Sequence, residues 1–185
     1  MDKEIVDRTK ERMQKVLEHT QQELGTIRTG RASAALLDSV RVDYYGTPTP
    51  LNQCAAISVP EPKLLVVQPW DKSITDAVVK AIQRADLGLN PSSDGNLIRV
   101  PVPALNEERR KELVKQAGRQ AEEGKVALRN VRRDSNEELK KGEKSGDIPE
   151  DASRRAQGEV QKLIEDFTTR VDAILERKRQ EIMEV

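Results

Sequence analysis

The chain has 185 residues, 32 basic and 32 acidic, so its formal net charge is zero and no overall field draws it to nucleic acid. Aromatic residues make up 2% and charged residues 35%, which argues against a ring-rich core and suits helices packed through Leu, Ile, Val and Ala. With one histidine, His19, and one cysteine, Cys54, there is no internal disulfide and no zinc site of ordinary spacing.

Residues 2–28 carry the first helical pattern. Val6, Thr9, Met13, Val16, Thr20, Leu24 and Ile27 fall three or four apart, with Ile5 and Leu17 widening the stripe. Charges of both signs fill the other positions. A helix of about 40 Å, at 1.5 Å per residue, is not stable alone and predicts helical partners. His19 lies beside the seam and reads as a partly exposed bystander. The pattern stops at Thr29-Gly30-Arg31.

From residue 31 to 103 the period becomes two and most of the prolines appear. Val40, Val42 and Tyr44 alternate with polar residues ahead of a turn over 46–50, and residues 54–59 and 63–68 read as two further strands parted by Pro60-Glu61-Pro62. A short helix follows. Ser73 is its expected cap, Ile74, Ala77, Val78, Ala81, Ile82 and Ala85 its buried face, and Gly88 its stop. Residues 90–95 are expected to be loop and 97–100 a last strand. The segment predicts a small β-rich domain covered by one helix.

Pro101-Val102-Pro103 leads into the longest pattern, from 106 to about 141. Asn106 is a good N-cap, and Glu107 and Glu108 suit the positive end of a helix dipole. Ala117, Ala121, Gly124, Leu128, Val131, Ser135 and Leu139 form one narrow seam. Between positions 109 and 133 nine Lys or Arg stand against three Glu, a local +6. Residues 142–146 break the pattern, and Pro149 suits the first turn of a third long helix. Its seam is Ala156, Val160, Leu163, Phe167, Val171, Ile174 and Ile182, with Ile164 and Leu175 beside it.

Three such seams can bury on one another or on another chain. The simplest arrangement is an α+β protein: a three-helix bundle of residues 1–30 and 105–185, holding residues 31–104 as an insert. Gly30, Arg31, Pro101, Val102 and Pro103 form the two crossings, expected to act as a hinge about which the small domain swings.

No enzyme assembles from these residues. The sequence holds no Gly-rich phosphate loop, nucleophile elbow or HExxH run, and its carboxylates are mixed with Lys and Arg along helix faces. The positive signal is Arg129-Asn130-Val131-Arg132-Arg133. With Val131 on the seam, Arg129 and Arg133 lie one turn apart on the outer face. Arg132 sits at the seam's edge, while Arg119 and Lys125 point into open solvent. A guanidinium fork suits paired phosphate oxygens, and its plane can stack on bases. The same run also fits a solvated face balanced by Glu122, Glu123, Glu137 and Glu138. Tyr44-Tyr45 fits either a base-stacking platform or one core ring and one ring covering the turn at Gly46. A charged N-terminus without a signal-peptide core, and no long apolar run, predict a cytoplasmic protein.

Several runs carry a family resemblance. They are Ile27-Arg28-Thr29-Gly30-Arg31-Ala32-Ser33, Tyr44-Tyr45-Gly46-Thr47-Pro48-Thr49-Pro50-Leu51, Asp86-Leu87-Gly88-Leu89-Asn90-Pro91 and Ile98-Arg99-Val100-Pro101. Glu107-Glu108-Arg109-Arg110-Lys111 and Arg129-Asn130-Val131-Arg132-Arg133-Asp134 complete them. In order and spacing these resemble the ribosome recycling factors of bacteria. Ala34 departs from a frequent proline and Trp70 from a smaller aromatic. The resemblance implies an L-shaped protein, a three-helix bundle plus a β/α/β domain. It implies binding in the cleft of the post-termination ribosome, with the bundle on large-subunit rRNA. It further implies that elongation factor G, by hydrolysing GTP, drives the subunits apart and frees mRNA and tRNA. By matching positions, Arg129, Arg132 and Arg133 are implied as central RNA contacts, and Arg110, Arg28 and Arg31 as further contacts or supports for the elbow. No catalytic residue, metal or cofactor is implied.

A closed bundle is expected to be a monomer. Two other readings remain open: a helical adaptor that dimerises through its seams, and a general RNA chaperone. The first leaves the +6 face and the insert without purpose; the second predicts binding to arbitrary RNA.

Overall fold

The computed structural model describes residues 1–184. In chain order its elements are α1 (Asp2–Gly25), β1 (Arg41–Tyr44), β2 (Thr47–Pro50), β3 (Ala55–Glu61), β4 (Leu64–Pro69), α2 (Thr75–Arg84), β5 (Ser92–Ser93), β6 (Ile98–Pro101), α3 (Glu107–Ser145) and α4 (Glu150–Met183). They form two compact units, residues 1–28 with 107–184 and residues 29–106. The divisions lie two residues from the expected ones on both strands of chain. Gly30 and Leu105 therefore belong to the small unit, where they meet: a Cβ at Gly30 would lie 3.0 Å from Leu105 Cγ.

In the large unit the three long helices turn their seams toward one another. All seven seam residues expected on α3 are buried, joined by Leu113 and Gly142. On α1 the buried line is Ile5, Thr9, Met13, Leu17, Thr20 and Leu24, so Ile5 and Leu17 are central and Val6 and Val16 flank. On α4, Ile164 points inward and the neighbouring Leu163 flanks, since residues adjacent in a helix lie about 100° apart. α3 continues past its expected end because Gly142 lets Ile148 approach; a Cβ there would lie 2.6 Å from Ile148 Cδ1. The chain breaks instead at Gly146, whose φ is +81°.

Hydroxyls are placed within these seams. Thr9 Oγ1 lies 2.6 Å from Ser135 Oγ, and each also reaches the carbonyl one turn back, Ile5 O at 2.6 Å and Val131 O at 2.9 Å. Thr20 Oγ1 donates to Val16 O at 2.8 Å and sits directly against Gly124, where any side chain would collide with it. The hydroxyls of Thr9, Thr20 and Ser135 thus find hydrogen-bond partners inside an apolar seam, whereas the buried Oδ1 of Asn136 has none.

The small unit has its own core, built from Val42, Leu65, Val67, Val78, Ile98 and Val100 among others. β4 and β6 bury alternate residues toward α2, as period-two strands with one covered face should. The sheet runs β3-β4-β6-β5, antiparallel throughout, with β1–β2 a separate hairpin. Residues 47–50, expected as turn, pair back onto β1, and the turn is only Tyr45-Gly46. Both have positive φ, 50° and 83°, the primed geometry that follows the twist of two paired strands. Pro48 and Pro50 are tolerated because this strand has only one neighbour. The cap ahead of the short helix is Asp71 rather than Ser73: its Oδ1 accepts from Ser73 N at 2.9 Å and starts a 3-10 turn that runs into α2. Residues 90–95, expected as loop, include the two-residue β5.

Two residues expected in the hinge are fixed in the sheet. Pro101 pairs with Leu64 as the end of β6, and Val102 N donates to Lys63 O at 2.8 Å. On the other crossing Ala32 N donates to Pro62 O at 2.7 Å. Outside these sheet hydrogen bonds the two crossings comprise residues 29–31 and 103–106. No helix among the described residues is long and apolar enough to cross a membrane.

Candidate nucleic-acid interface

α3 has its seam set by the 3.6-residue period, and that same period sets where its arginines go. Val131 is buried, so Arg129 and Arg133 emerge on the outer face and Arg132 at its margin, half-buried. Each has a different partner. Arg129 Nη2 is 2.7 Å from Glu122 Oε1, two turns back on the same exposed face. Arg132 Nη1 donates to Gln161 Oε1 of α4 at 3.3 Å, while Gln161 Nε2 donates to Glu165 Oε1 at 2.9 Å. Arg133 lies 3.9 Å from Asp134, a carboxylate already engaged by Arg12 of α1 at 2.8 Å. The hydrogen bond from Arg12 holds the Asp134 carboxyl below its usual range, and the charges of Arg12 and Arg133 add to that.

Arg133 is consequently the loosest of the three and Arg132 the most restrained, since only its fork is held from a second helix. The exposed pair of Arg129 with Glu122 is weak in water and can open to an arriving phosphate. Of the other candidate residues, Arg110 lies on the first turn of α3, roughly 28 Å along the axis from Arg129 at 1.5 Å per residue. Arg28 is exposed just beyond α1, and Arg31 is exposed in the small unit.

The expected balancing carboxylates are only partly those observed. Glu122 holds Arg129, but Glu138 pairs with Arg8 of α1. Lys125, expected in open solvent, is half-buried and paired with Asp172 of α4, because position 125 flanks the seam at Gly124. Arg119 is exposed. Gln161 was not visible as a site residue in the sequence: it lies 29 positions from Arg132, and nothing in its own helix marks it.

Tyr44 and Tyr45 are both exposed and neither ring enters the core, because the turn carries Tyr45 beyond the end of the sheet. Their rings meet edge to face at 4.7 Å. Among the described residues no group of three or more His, Cys, Asp or Glu is arranged to hold a metal ion.

These features define an α+β protein whose three-helix bundle presents an arginine-rich face and whose chain makes an excursion into a small sheet domain. Residues 20–183 match the family described as ribosome recycling factor. The chain is 55% identical to the ribosome-recycling factor of Clostridioides difficile (strain 630) and 54% to that of Bacillus subtilis (strain 168), over the full length of both. It resembles a solution structure of a ribosome recycling factor, with TM-score 0.75, 40% identity and coverage of 100% of this chain and 98% of that one. A second similar structure belongs to models for the T. thermophilus ribosome recycling factor and the E. coli elongation factor G bound to the E. coli post-termination complex. There the TM-score is 0.63, with 45% identity and both chains wholly covered. The chain belongs to the ribosome recycling factor family.

Proposed function

We propose that this chain binds the post-termination ribosome and, with elongation factor G, splits the subunits and releases mRNA and tRNA. The observation that carries this reading is its 45% identity, over the whole of both chains, to a recycling factor described, with elongation factor G, in models bound to a post-termination complex. The local +6 on α3, in a chain of zero net charge, supports rRNA as the surface it meets. In this reading Arg132 is the central contact, with Arg129 and Arg133 beside it and Arg110, Arg28 and Arg31 as further contacts or supports. The protein acts as a monomer in the cytoplasm and contributes no catalytic residue. GTP is hydrolysed by elongation factor G, and the chain's part is to occupy the ribosome and transmit force. Residues 29–31 and 103–106 are the segments where a swing of the small domain would be absorbed.

The test is a subunit-splitting assay on post-termination ribosomes. Splitting is expected only when the protein, elongation factor G and GTP are all present. No splitting with all three, or equal splitting when elongation factor G is withheld, refutes the reading.

A further inference from the structure

Gln161 is exposed on α4, and its carboxamide stands between two charged groups. On one side Arg132 Nη1 donates to its Oε1 at 3.3 Å. On the other its Nε2 donates at 2.9 Å to Glu165 Oε1, one turn along the same helix. A guanidinium can only donate and a carboxylate can only accept, so one orientation of the amide satisfies both. The reverse would set NH2 against the guanidinium and oxygen against oxygen. Glu165 thereby fixes which end of Gln161 faces α3. The amide passes part of the carboxylate's pull on to Arg132 without bringing the negative charge into contact with it.

Other arginines of the bundle are held differently. Arg12 lies on Asp134 at 2.8 Å, Arg129 on Glu122 at 2.7 Å and Arg154 on Glu150 at 3.0 Å, each a direct ion pair. A phosphate arriving at any of these must displace a carboxylate or share the guanidinium with one. Arg132 is held by a neutral acceptor instead, through a bond at the long end of the range for N–H···O. Its stem is half-buried at the edge of the seam, so the side chain is directed outward from α3 and α4 with its charge intact.

We propose, on the reading that Arg132 meets rRNA, that Gln161 is a positioning residue for that contact: it aims the Arg132 guanidinium at a phosphate without neutralising it, and Glu165 sets the orientation of its amide. Position 161 then acts through its neutrality as well as its reach. A glutamate there, nearly the same in shape, would close an ion pair with Arg132 and stand one turn from Glu165.

Binding of full-length variants to ribosomes tests this, with Arg132→Ala as the reference. Gln161→Leu is expected to weaken binding about three- to fivefold, the worth of one neutral hydrogen bond. Leucine is a good helix former and the position is exposed, so circular dichroism and melting should match the parent. In the Arg132→Ala background the same substitution should change affinity less than about twofold, since nothing is left to aim. Gln161→Glu should weaken binding at least as much as Gln161→Leu. It should also lose more than Gln157→Glu, which adds the same charge one turn earlier, where the side chain bonds Ser153. Parent affinity in Gln161→Leu or Gln161→Glu, with Arg132→Ala impaired, overturns the proposal and leaves the role of Arg132 standing. So does an additive loss in the double variant, or a loss matched by a lower melting temperature, either of which makes Gln161 a plain tie between helices. Equal losses from the two glutamates also overturn it, because added charge alone would then account for them. Parent affinity in Arg132→Ala overturns the contact with rRNA and the part of Gln161 with it.

Discussion

Arg132 and Arg119 share a helix and a charge and differ in what holds them. Arg119 is exposed, whereas Arg132 is half-buried with its fork on Gln161, which is tied in turn to Glu165. A restrained guanidinium loses less freedom on meeting a phosphate, and its planar donors match the oxygens it meets. A charged hydrogen bond of this kind is worth roughly 1.5–3 kcal/mol, about ten- to hundredfold in affinity. Arg132→Ala is therefore expected to weaken ribosome binding at least tenfold while circular dichroism and melting stay nearly unchanged. The slope of log affinity against log salt should fall by somewhat less than one unit. Arg119→Ala should lose much less. Equal losses in the two variants would reduce the face to diffuse charge. Lys125 makes a poor control, because its replacement also removes the contact with Asp172.

Between helices, two glycines of α3 make opposite predictions. Gly124 faces Thr20 of α1 with no room for a methyl group, while nothing lies within 4 Å of a Cβ at Gly118. Gly124→Ala is expected to cost roughly 1–3 kcal/mol through overpacking, and Gly118→Ala to add up to about 1 kcal/mol of helix propensity. Thermal melting separates them, and a shared sign would show that the close approach at Thr20 is not what sets the spacing. The Arg12–Asp134 pair ties the same two helices. Its carboxyl titrates below the unfolded value of about 3.9, so its contribution is present at neutral pH and is lost as pH falls through the lowered folded value. Asp134→Asn should lower the melting temperature at pH 7 and lower it progressively less as the pH is taken down into the acid range. A deficit that stayed constant down to the pH of acid unfolding would mean the charge is irrelevant.

How far such elements can be read in advance depends on where their partners are. The α3 seam is legible from Ala117 to Leu139, since a 3.6-residue period needs no knowledge of the neighbouring helix, but Leu113 and Gly142 at its two ends are not. Leu163 and Ile164 could not be ranked, because both are apolar and only the facing helices decide between them. The Tyr45-Gly46 turn was hidden by prolines that look like turn formers but sit in a hairpin strand. The candidate face was legible in its arginines and not in their restraints: Asp134 answers to Arg12, 122 positions away, and Gln161 is one polar residue among many on α4.

At the scale of the molecule, the two units have separate cores and two strands of chain in common. Replacing residues 31–104 by a short glycine-serine linker should leave a bundle that folds and binds ribosomes but does not split them. Full splitting by that variant would show the small domain is dispensable. Gly30 tests the crossing itself. Its φ of +77° and the nearness of Leu105 leave no place for a β-branched residue. Gly30→Val is expected to impair recycling more than it lowers the bundle's melting temperature. Parallel losses would make the position purely structural.

The contacts between α1 and α3 also act as an alignment key. Thr9 meets Ser135 and Thr20 meets Gly124, so in both pairs the two positions add to the same value, 144, as antiparallel helices in fixed register require. A slide of seven residues in one direction would set Thr9 against Leu128 and Thr20 against Ala117. The opposite slide would set them against Gly142 and Val131. Either shift abandons the paired hydroxyls, and the second also drives valine into the space that only glycine leaves open. The two locks fail together, so a misaligned bundle has no partial credit to fall back on. A second copy of the chain that exchanged its first helix would be admitted at this same alignment alone.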